Sequence, residues 1–169
     1  MATTYDKIAT TTLGSAATSI TFSSIAASWT DLRLVFVGKA SIGATYIGPW
    51  IQFNSDTSTN YSWTDLGGNG SAAYSSSAAN QSNVSFANNS SIGSTNNALL
   101  DINIFSYAGS TYKTILSQLS NDRNGSGSTE STVGLWRSTS AITSIVLNAG
   151  YANGFPSGTT ATLYGIKAA

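Results

Sequence analysis

Leu32-Arg33-Leu34-Val35-Phe36-Val37 is the stretch of sequence that decides the fold of this chain. Leu32, Leu34 and Phe36 occupy every second position, so one side of an extended segment is apolar throughout. Successive side chains of a β-strand point to opposite faces of the sheet. The period of two therefore predicts a β-strand that packs one face on a core.

Nine further segments have the same character. They carry β-branched or aromatic residues and are separated by Gly, Asn, Asp and Ser, the residues that turns favour. The predicted strands cover residues 19–22, 50–54, 61–66, 83–86, 99–105, 112–119, 132–136, 142–147 and 160–166. Residues 71–97 are almost entirely Ser, Ala and Asn around Val84 and Phe86. There we predict a long surface excursion that holds one short strand.

These strands predict an all-β fold. Glu occurs once, and no apolar repeat at positions i, i+3 and i+4 extends over three turns, so helices are not expected. About ten strands predict a two-sheet β-sandwich of the jelly-roll type, with an up-and-down barrel as the alternative. At 169 residues and 17.4 kDa the chain suits one domain, which we predict to span residues 1–169.

The composition argues against an enzyme. Only 8% of the residues are charged, and His and Cys are absent, although most acid–base, nucleophilic and transition-metal chemistry relies on those residue types. The formal net charge is +0, so no basic field attracts nucleic acid or an anionic membrane. We expect no cofactor, nucleic acid or membrane partner. A net charge near zero instead favours association with other protein surfaces or with further copies.

The N-terminus carries no basic segment followed by an apolar one, so we expect no secretory signal. No apolar stretch approaches the roughly 20 residues that a membrane-spanning helix needs. The sequence alone therefore predicts a soluble, unexported chain.

The acidic residues do not form a recognisable catalytic pair. A glycosidase needs two carboxyl groups that face each other across a cleft, and nothing in the sequence pairs them. Asp31, Asp56 and Asp122 lie in turn settings, where Asp caps the backbone, and Asp101 alternates outward on its strand. We therefore predict no catalytic residue. The complete set of acids is Asp6, Asp31, Asp56, Asp65, Asp101, Asp122 and Glu130.

One loop offers oxygen atoms to a cation. Asn54, Asp56 and Asn60 lie close together in sequence, and Ca²⁺ prefers oxygen ligands. A single carboxylate makes a weak site, so we predict no metal centre. Calcium binding by this loop is left open as the alternative.

The aromatic residues suggest contacts rather than chemistry. Four Trp and eight Tyr could pack in a core, form a protein interface or stack on sugars. Trp136 and Arg137 are the most suggestive pair, because an Arg beside an indole can bond or stack in an interface. We predict that Tyr5, Trp136 and Arg137 lie at an interface with another protein.

Motifs spread over nearly the whole chain resemble the small β-sandwich structural proteins of tailed bacteriophages, especially marine and cyanobacterial ones. The resemblance implies a virion component with a jelly-roll subunit, a homotrimer that sits on the outer capsid between major capsid protein subunits. None of these motifs carries catalytic residues. They are Tyr5-Asp6-Lys7-Ile8-Ala9, Thr30-Asp31-Leu32-Arg33-Leu34-Val35, Phe53-Asn54-Ser55-Asp56, Asn60-Tyr61-Ser62, Tyr107-Ala108-Gly109-Ser110, Trp136-Arg137-Ser138-Thr139-Ser140-Ala141-Ile142 and Thr162-Leu163-Tyr164-Gly165-Ile166-Lys167.

Two functions follow from this resemblance. The first is a capsid cement, or decoration, protein without enzymatic activity, which binds the assembled shell and stabilises it. The alternative is a receptor-binding module on a tail fibre, whose exposed Trp and Tyr side chains would contact host glycans. No shaft or anchor segment precedes Tyr5 in the given sequence, and on this ground the cement function is favoured.

Overall fold

The fold was obtained as a computed structural model, which describes residues 4–41, 48–86, 92–152 and 154–167. Within these ranges the chain forms twelve strands in two antiparallel sheets and no helix. The predicted all-β class is confirmed, and the two sheets are consistent with a β-sandwich. The jelly-roll connectivity stays a prediction.

The large sheet has eight strands in the order β1-β12-β3-β8-β9-β10-β5-β6, and the small sheet has four in the order β2-β11-β4-β7. The strands are β1 (Tyr5–Thr12), β2 (Ser19–Phe22), β3 (Asp31–Gly38), β4 (Trp50–Phe53), β5 (Tyr61–Gly68), β6 (Ala73–Gln81), β7 (Val84–Ser85), β8 (Ala98–Phe105), β9 (Lys113–Asp122), β10 (Gly127–Trp136), β11 (Ile145–Asn148) and β12 (Thr160–Ile166).

Strand β3 lies inside the large sheet, between β12 and β8. Leu32, Leu34 and Phe36 are fully buried, whereas the residues between them are partly exposed. The period of two read from the sequence is therefore the period of burial. Strands β2 and β12 have the predicted bounds, and each of the other predicted segments overlaps a strand.

Two strands were not predicted. The interpretation of residues 71–97 as a surface excursion with one short strand is wrong, because β6 is a nine-residue strand paired with β5. Ser, Ala and Asn have low strand propensity, so pairing with β5 rather than local preference fixes this strand. Strand β1 escaped prediction because a bulge between Lys7 and Ala9 interrupts its alternation.

The core lies between the two sheets. Three large buried rings in it, those of Phe53, Tyr61 and Trp136, form an aromatic cluster. The ring of Phe53 lies 5.5 Å from that of Trp136 and 6.2 Å from that of Tyr61, measured between centroids. The rings of Tyr61 and Trp136 stack at 6.2 Å. These three residues join the small sheet to the β5–β10 side of the large one.

Gly165 fixes the path of β12 beneath an indole ring. A Cβ atom at this position would lie 2.3 Å from the ring of Trp29, whose Nε1 donates a hydrogen bond to Asp6 on β1 at 3.1 Å. We expect Gly165→Ala to lower the free energy of unfolding by about 2 kcal/mol, because the ring must move and strain its contacts. Urea denaturation measures the change. Gly14→Ala is the control, since no atom lies within 4 Å of its added Cβ, and equal stability of the two variants would refute the expectation.

Candidate protein-binding face

The large sheet has one buried face and one outer face. Strand β9 shows this most clearly, because its ten residues alternate between buried and exposed throughout. Burial also alternates along β3 and β12. The side chains that point away from the core on this sheet form the outer face.

Four large apolar side chains follow one another across the outer face. Phe105 on β8, Leu116 on β9, Val133 on β10 and Leu66 on β5 are 41%, 44%, 46% and 65% exposed. Leu116 pairs directly with Val133, while Phe105 and Leu66 are the diagonal neighbours of these two. We call these residues the outer apolar run. Contiguous exposed apolar surface of this kind marks interaction sites in soluble proteins.

Sequence reasoning missed the outer apolar run. The signal was present, because β9 and β10 carry apolar residues at the positions that alternate with core residues. In a strand with one face on the core and the other in water, apolar and polar residues are expected to alternate. Leu116 directly follows Ile115, so the residue expected to be polar is apolar. Finding the run still requires the pairing of β8, β9, β10 and β5, which the sequence does not state.

Two charged side chains in the middle of the outer face neutralise each other. Arg33 Nε donates to Asp101 Oδ1 at 2.8 Å, and Arg33 Nη2 donates to Asp101 Oδ2 at 2.5 Å. The hydrogen bond to Asp101 raises the pKa of Arg33 despite the opposing effect of burial, so the cation persists. This bidentate pair lies on adjacent strands and leaves little net charge in the middle of the face.

Uncharged polar groups of the outer face also pair among themselves. Gln118 Nε2 donates to Thr129 Oγ1 at 2.7 Å, and the hydroxyls of Thr10 and Thr162 lie 3.0 Å apart. A covering molecule would leave these groups hydrogen-bonded. The desolvation penalty of covering the face is correspondingly small.

An open groove of about 420 Å³ runs along the β9–β6 side of the outer face. Its lining contains no charged residue and consists of Ser, Thr, Ala, Val, Gly and Leu residues together with one Trp. Such a lining suits a polypeptide surface better than an ion or a phosphate. Its lining residues are Ser62, Trp63, Thr64, Ser77, Ala78, Ala79, Thr114, Val133, Gly134 and Leu135.

Tyr5, one of the predicted interface residues, belongs to the outer face. It is 50% exposed and pairs with Ile166 at the β1 edge. Its ring meets that of Tyr164 edge to face, with centroids 6.5 Å apart, and its hydroxyl contributes to raising the pKa of Arg33. Tyr5 therefore extends the face beyond the ion pair.

Trp136 does not lie on a surface. Its side chain is only 2% exposed, and its Nε1 donates to Asp56 Oδ2 at 2.8 Å. The reason is the alternation of β10, which points Trp136 inward together with Thr132 and Gly134. The prediction that Trp136 contacts another protein is wrong, because its side chain packs in the core.

Arg137 follows β10 and is exposed. Its Nη2 donates to the carbonyl of Thr59 at 2.5 Å and to Asn80 Oδ1 at 2.9 Å. The guanidinium thus ties the loop after β4 to the end of β6. Because β6 and β1 are opposite edges of the large sheet, the structure does not bring Arg137 together with Tyr5.

The oxygen atoms of the candidate calcium loop are used by the protein itself. The Asp56 carboxylate accepts hydrogen bonds from Ser58 N, Asn60 Nδ2 and Trp136 Nε1 at 2.8–3.0 Å. Asn54 Oδ1 accepts from the backbone N–H groups of Thr143 and Ser144. A cation would have to displace these donors. Across the ranges that the structure describes, no three His, Cys, Asp or Glu side chains are grouped to hold a metal ion.

The same bonds set the charge state of Asp56. Burial alone would raise the pKa of its carboxyl, but the hydrogen bonds from Asn60, Trp136 and Ser58 outweigh it and lower the pKa to about 2. Asp56 is therefore a permanently charged acceptor at neutral pH, and it fixes both the loop and the Trp136 ring.

Two carboxylates do become neighbours, but on the buried face. Asp65 pairs with Thr132, two residues from Glu130, and both acids are only 1% exposed. Asp65 Oδ1 accepts a hydrogen bond from Ser76 Oγ at 2.5 Å. No polymeric substrate reaches a pair in this position, so the two acids do not form the open cleft that a glycosidase requires.

No protein-family profile, curated protein or solved structure matches this chain. Among the residues with described coordinates, no helix is long and apolar enough to cross a membrane. The outer face is an open, nearly neutral sheet surface with the outer apolar run near its middle.

Proposed function

We propose that this chain is a bacteriophage capsid decoration protein, which binds the outer capsid surface between major capsid protein subunits and stabilises the shell. The virion setting rests on the resemblance of the sequence motifs quoted above. The mode of binding rests on the outer face of the large sheet. In this proposal the protein acts by binding alone and catalyses no reaction.

The outer apolar run is the observation that carries the binding mode. Eight strands of about eight residues, at ~3.4 Å per residue and ~4.8 Å between strands, present roughly 1,000 Å² on one side. A specific protein interface covers about 800 Å² on each partner. The outer face is therefore large enough to be one side of a stable interface, with Leu116 and Val133 at its centre.

Binding alone can stabilise a shell. A protein that binds only the assembled lattice shifts the equilibrium toward the assembled state, by an amount that grows with concentration over the dissociation constant. A rigid sheet with internally paired polar groups suits this role, because little order has to be created on binding.

The tail-fibre alternative depends on exposed aromatic rings. Trp136 is buried and Trp29 packs against the core, whereas Trp63 is partly buried and also lines the open groove. Fewer indole rings are therefore open to stack on a glycan than the sequence alone allowed. Tyr5, Tyr112 and Tyr151 are about half exposed, so stacking of a glycan on tyrosine rings stays as the alternative.

Co-sedimentation of the purified chain with capsids that lack it tests the proposal. We expect saturable binding with a fixed copy number per shell. If capsids bind none of the chain while a glycan array retains it, the tail-fibre function replaces the cement function.

We expect Arg137→Ala to weaken capsid binding by about tenfold, which is the loss expected if Arg137 is one of the few residues that contribute most of the binding energy. The variant removes the guanidinium that joins Thr59 to Asn80. Binding isotherms on capsids measure the loss, and virion heat resistance reports its consequence. Arg137→Lys is the matched control, because it keeps the charge and loses the planar fork. Full occupancy and heat resistance of Arg137→Ala virions would remove Arg137 from the interface.

A further inference from the structure

Arg137 lies at one end of the open groove on the outer face. It follows the lining residue Leu135 by two positions, and its Nη2 donates to Oδ1 of Asn80, the residue after the lining residue Ala79. A second hydrogen bond from Nη2, to the carbonyl of Thr59, holds the guanidinium in place. The uncharged groove therefore has a fixed cation at this end.

The positive charge of Arg137 is not neutralised by an ion pair. Among the described residues, no carboxylate oxygen lies within 4.0 Å of its guanidinium, and its Nε and Nη1 atoms donate no hydrogen bond. The acid of the loop after β4, Asp56, accepts hydrogen bonds from its own loop and from Trp136 instead. Arg137 thus keeps N–H donors for a further acceptor.

Two hydroxyl groups lie at the same end of the groove. Leu135 pairs with Thr114 on β9 and with Ser62 on β5. In the part of the chain that the structure describes, neither hydroxyl makes a hydrogen bond, whereas other polar groups of the outer face are paired. This end of the groove therefore offers a cation and two hydroxyls, all of which can donate hydrogen bonds.

A molecule that covers the groove removes water from these donors. Burial of a charged guanidinium without an acceptor is costly, whereas a carboxylate opposite it supplies a charge-assisted hydrogen bond. The rest of the groove needs no charge, because its lining is uncharged and partly apolar. A complementary molecule therefore carries an acid at one end and uncharged groups along the remainder.

We propose that the groove binds an extended segment of the partner polypeptide, and that an Asp or Glu side chain of this segment pairs with Arg137. The lining residues come from four adjacent strands, which span roughly 14 Å, the length of about four extended residues. That the partner is a capsid subunit rests on the proposed function, whereas the acidic residue follows from the groove itself.

A peptide titration followed by NMR tests the groove without capsids. The probe is the peptide Ser-Val-Asp-Val-Ser with blocked ends, and the matched control has Asn in place of Asp. The Nε–H signals of Arg33 and Arg123 are internal references, and Arg137→Lys assigns the third signal by its loss. We expect the Asp peptide to shift the Arg137 signal to saturation. The Asn peptide should bind about fivefold more weakly, because hydrogen bonds between charged groups are stronger.

Acetate at the same carboxylate concentration separates the charge from the groove. We expect it to bind more weakly than the Asp peptide, because it makes no contact along the lining. Equal affinities for the Asp and Asn peptides would overturn the acidic partner. Equal affinities for acetate and the Asp peptide would overturn the role of the groove, and an unmoved Arg137 signal would overturn both.

Capsid co-sedimentation at low and high salt connects the groove to the proposed function. We expect Arg137→Gln to bind capsids more weakly than the wild type at low salt and by a smaller factor at high salt, because salt screens the lost ion pair. Lys167→Gln removes the same charge from the salt bridge with Asp6 and should bind as the wild type does. An equal salt dependence of Arg137→Gln and the wild type would overturn the pairing on capsids. A chain that binds the Asp peptide but no capsid keeps the groove site and loses only the capsid as its partner.

Discussion

Leu116→Glu is expected to reduce capsid binding at least a hundredfold while leaving the isolated protein folded. Leu116 and Val133 lie opposite each other at the centre of the outer apolar run, and both are more than 40% exposed. A carboxylate there stays solvated in the free protein but loses its water when the face is covered. An unpaired charge buried in an interface costs several kcal/mol, which corresponds to two or more orders of magnitude in affinity. Co-sedimentation isotherms measure the change.

The matched control is Thr21→Glu. Thr21 is an exposed residue of β2 in the small sheet, so the substitution adds the same charge outside the outer face. We expect it to bind capsids as the wild type does. If Leu116→Glu binds equally well, the outer face is not the binding surface.

The largest effect on stability is expected for Asp56→Ala. The carboxylate accepts three hydrogen bonds, one of them from the indole of the buried Trp136. Its removal leaves the Trp136 N–H without an acceptor in the core and releases the loop that Asn60 closes. We expect the free energy of unfolding to fall by about 3 kcal/mol, since an unsatisfied buried donor and a broken network are both costly. Urea denaturation gives the value.

Asp122→Ala is the control for this variant. Asp122 accepts one hydrogen bond, from Gly125 N at 3.2 Å, in an exposed turn. Its loss should lower the free energy of unfolding by less than about 1 kcal/mol. Equal destabilisation by the two variants would contradict the role given to Asp56.

The same site also predicts part of the acid denaturation of the protein. The pKa of Asp56 is lowered from 3.8 to about 2 in the folded state, so the folded state holds this proton less tightly than the unfolded state does. The resulting stability is fully present above pH ~4 and is lost as the pH falls toward about 2. Asp56→Ala should therefore show a shallower loss of stability than the wild type over this interval. Parallel pH profiles for the two proteins would argue against it.

Strands with a strong local pattern of apolar residues could be predicted from the sequence. Strand β3 follows from its period of two, because burial of one face selects apolar residues at alternate positions. Strand β6 could not be predicted, since its Ser, Ala and Asn residues owe their strand conformation to the pairing partner β5. Local composition carries no information about such a partner.

For the predicted interface residues, too, local sequence decides some positions and the fold decides others. Tyr5 lies on the outer face and Arg137 is exposed, and their contact with another protein stays a prediction. Trp136 was assigned to an interface because indole rings occur in cores and interfaces alike; in the structure the alternation of β10 turns the ring inward, where it bonds Asp56. The outer apolar run is formed by four strands, so it exists only after their register is known.

The melting temperature of capsids that lack this protein, measured with and without the purified chain, tests the central claim most directly. We predict that the wild-type chain binds to saturation and raises the melting temperature of the capsid, whereas Leu116→Glu at the same concentration does not. An unchanged melting temperature at saturating wild-type protein would contradict the stabilising role. An equal rise with Leu116→Glu would show that the shell is stabilised through another surface.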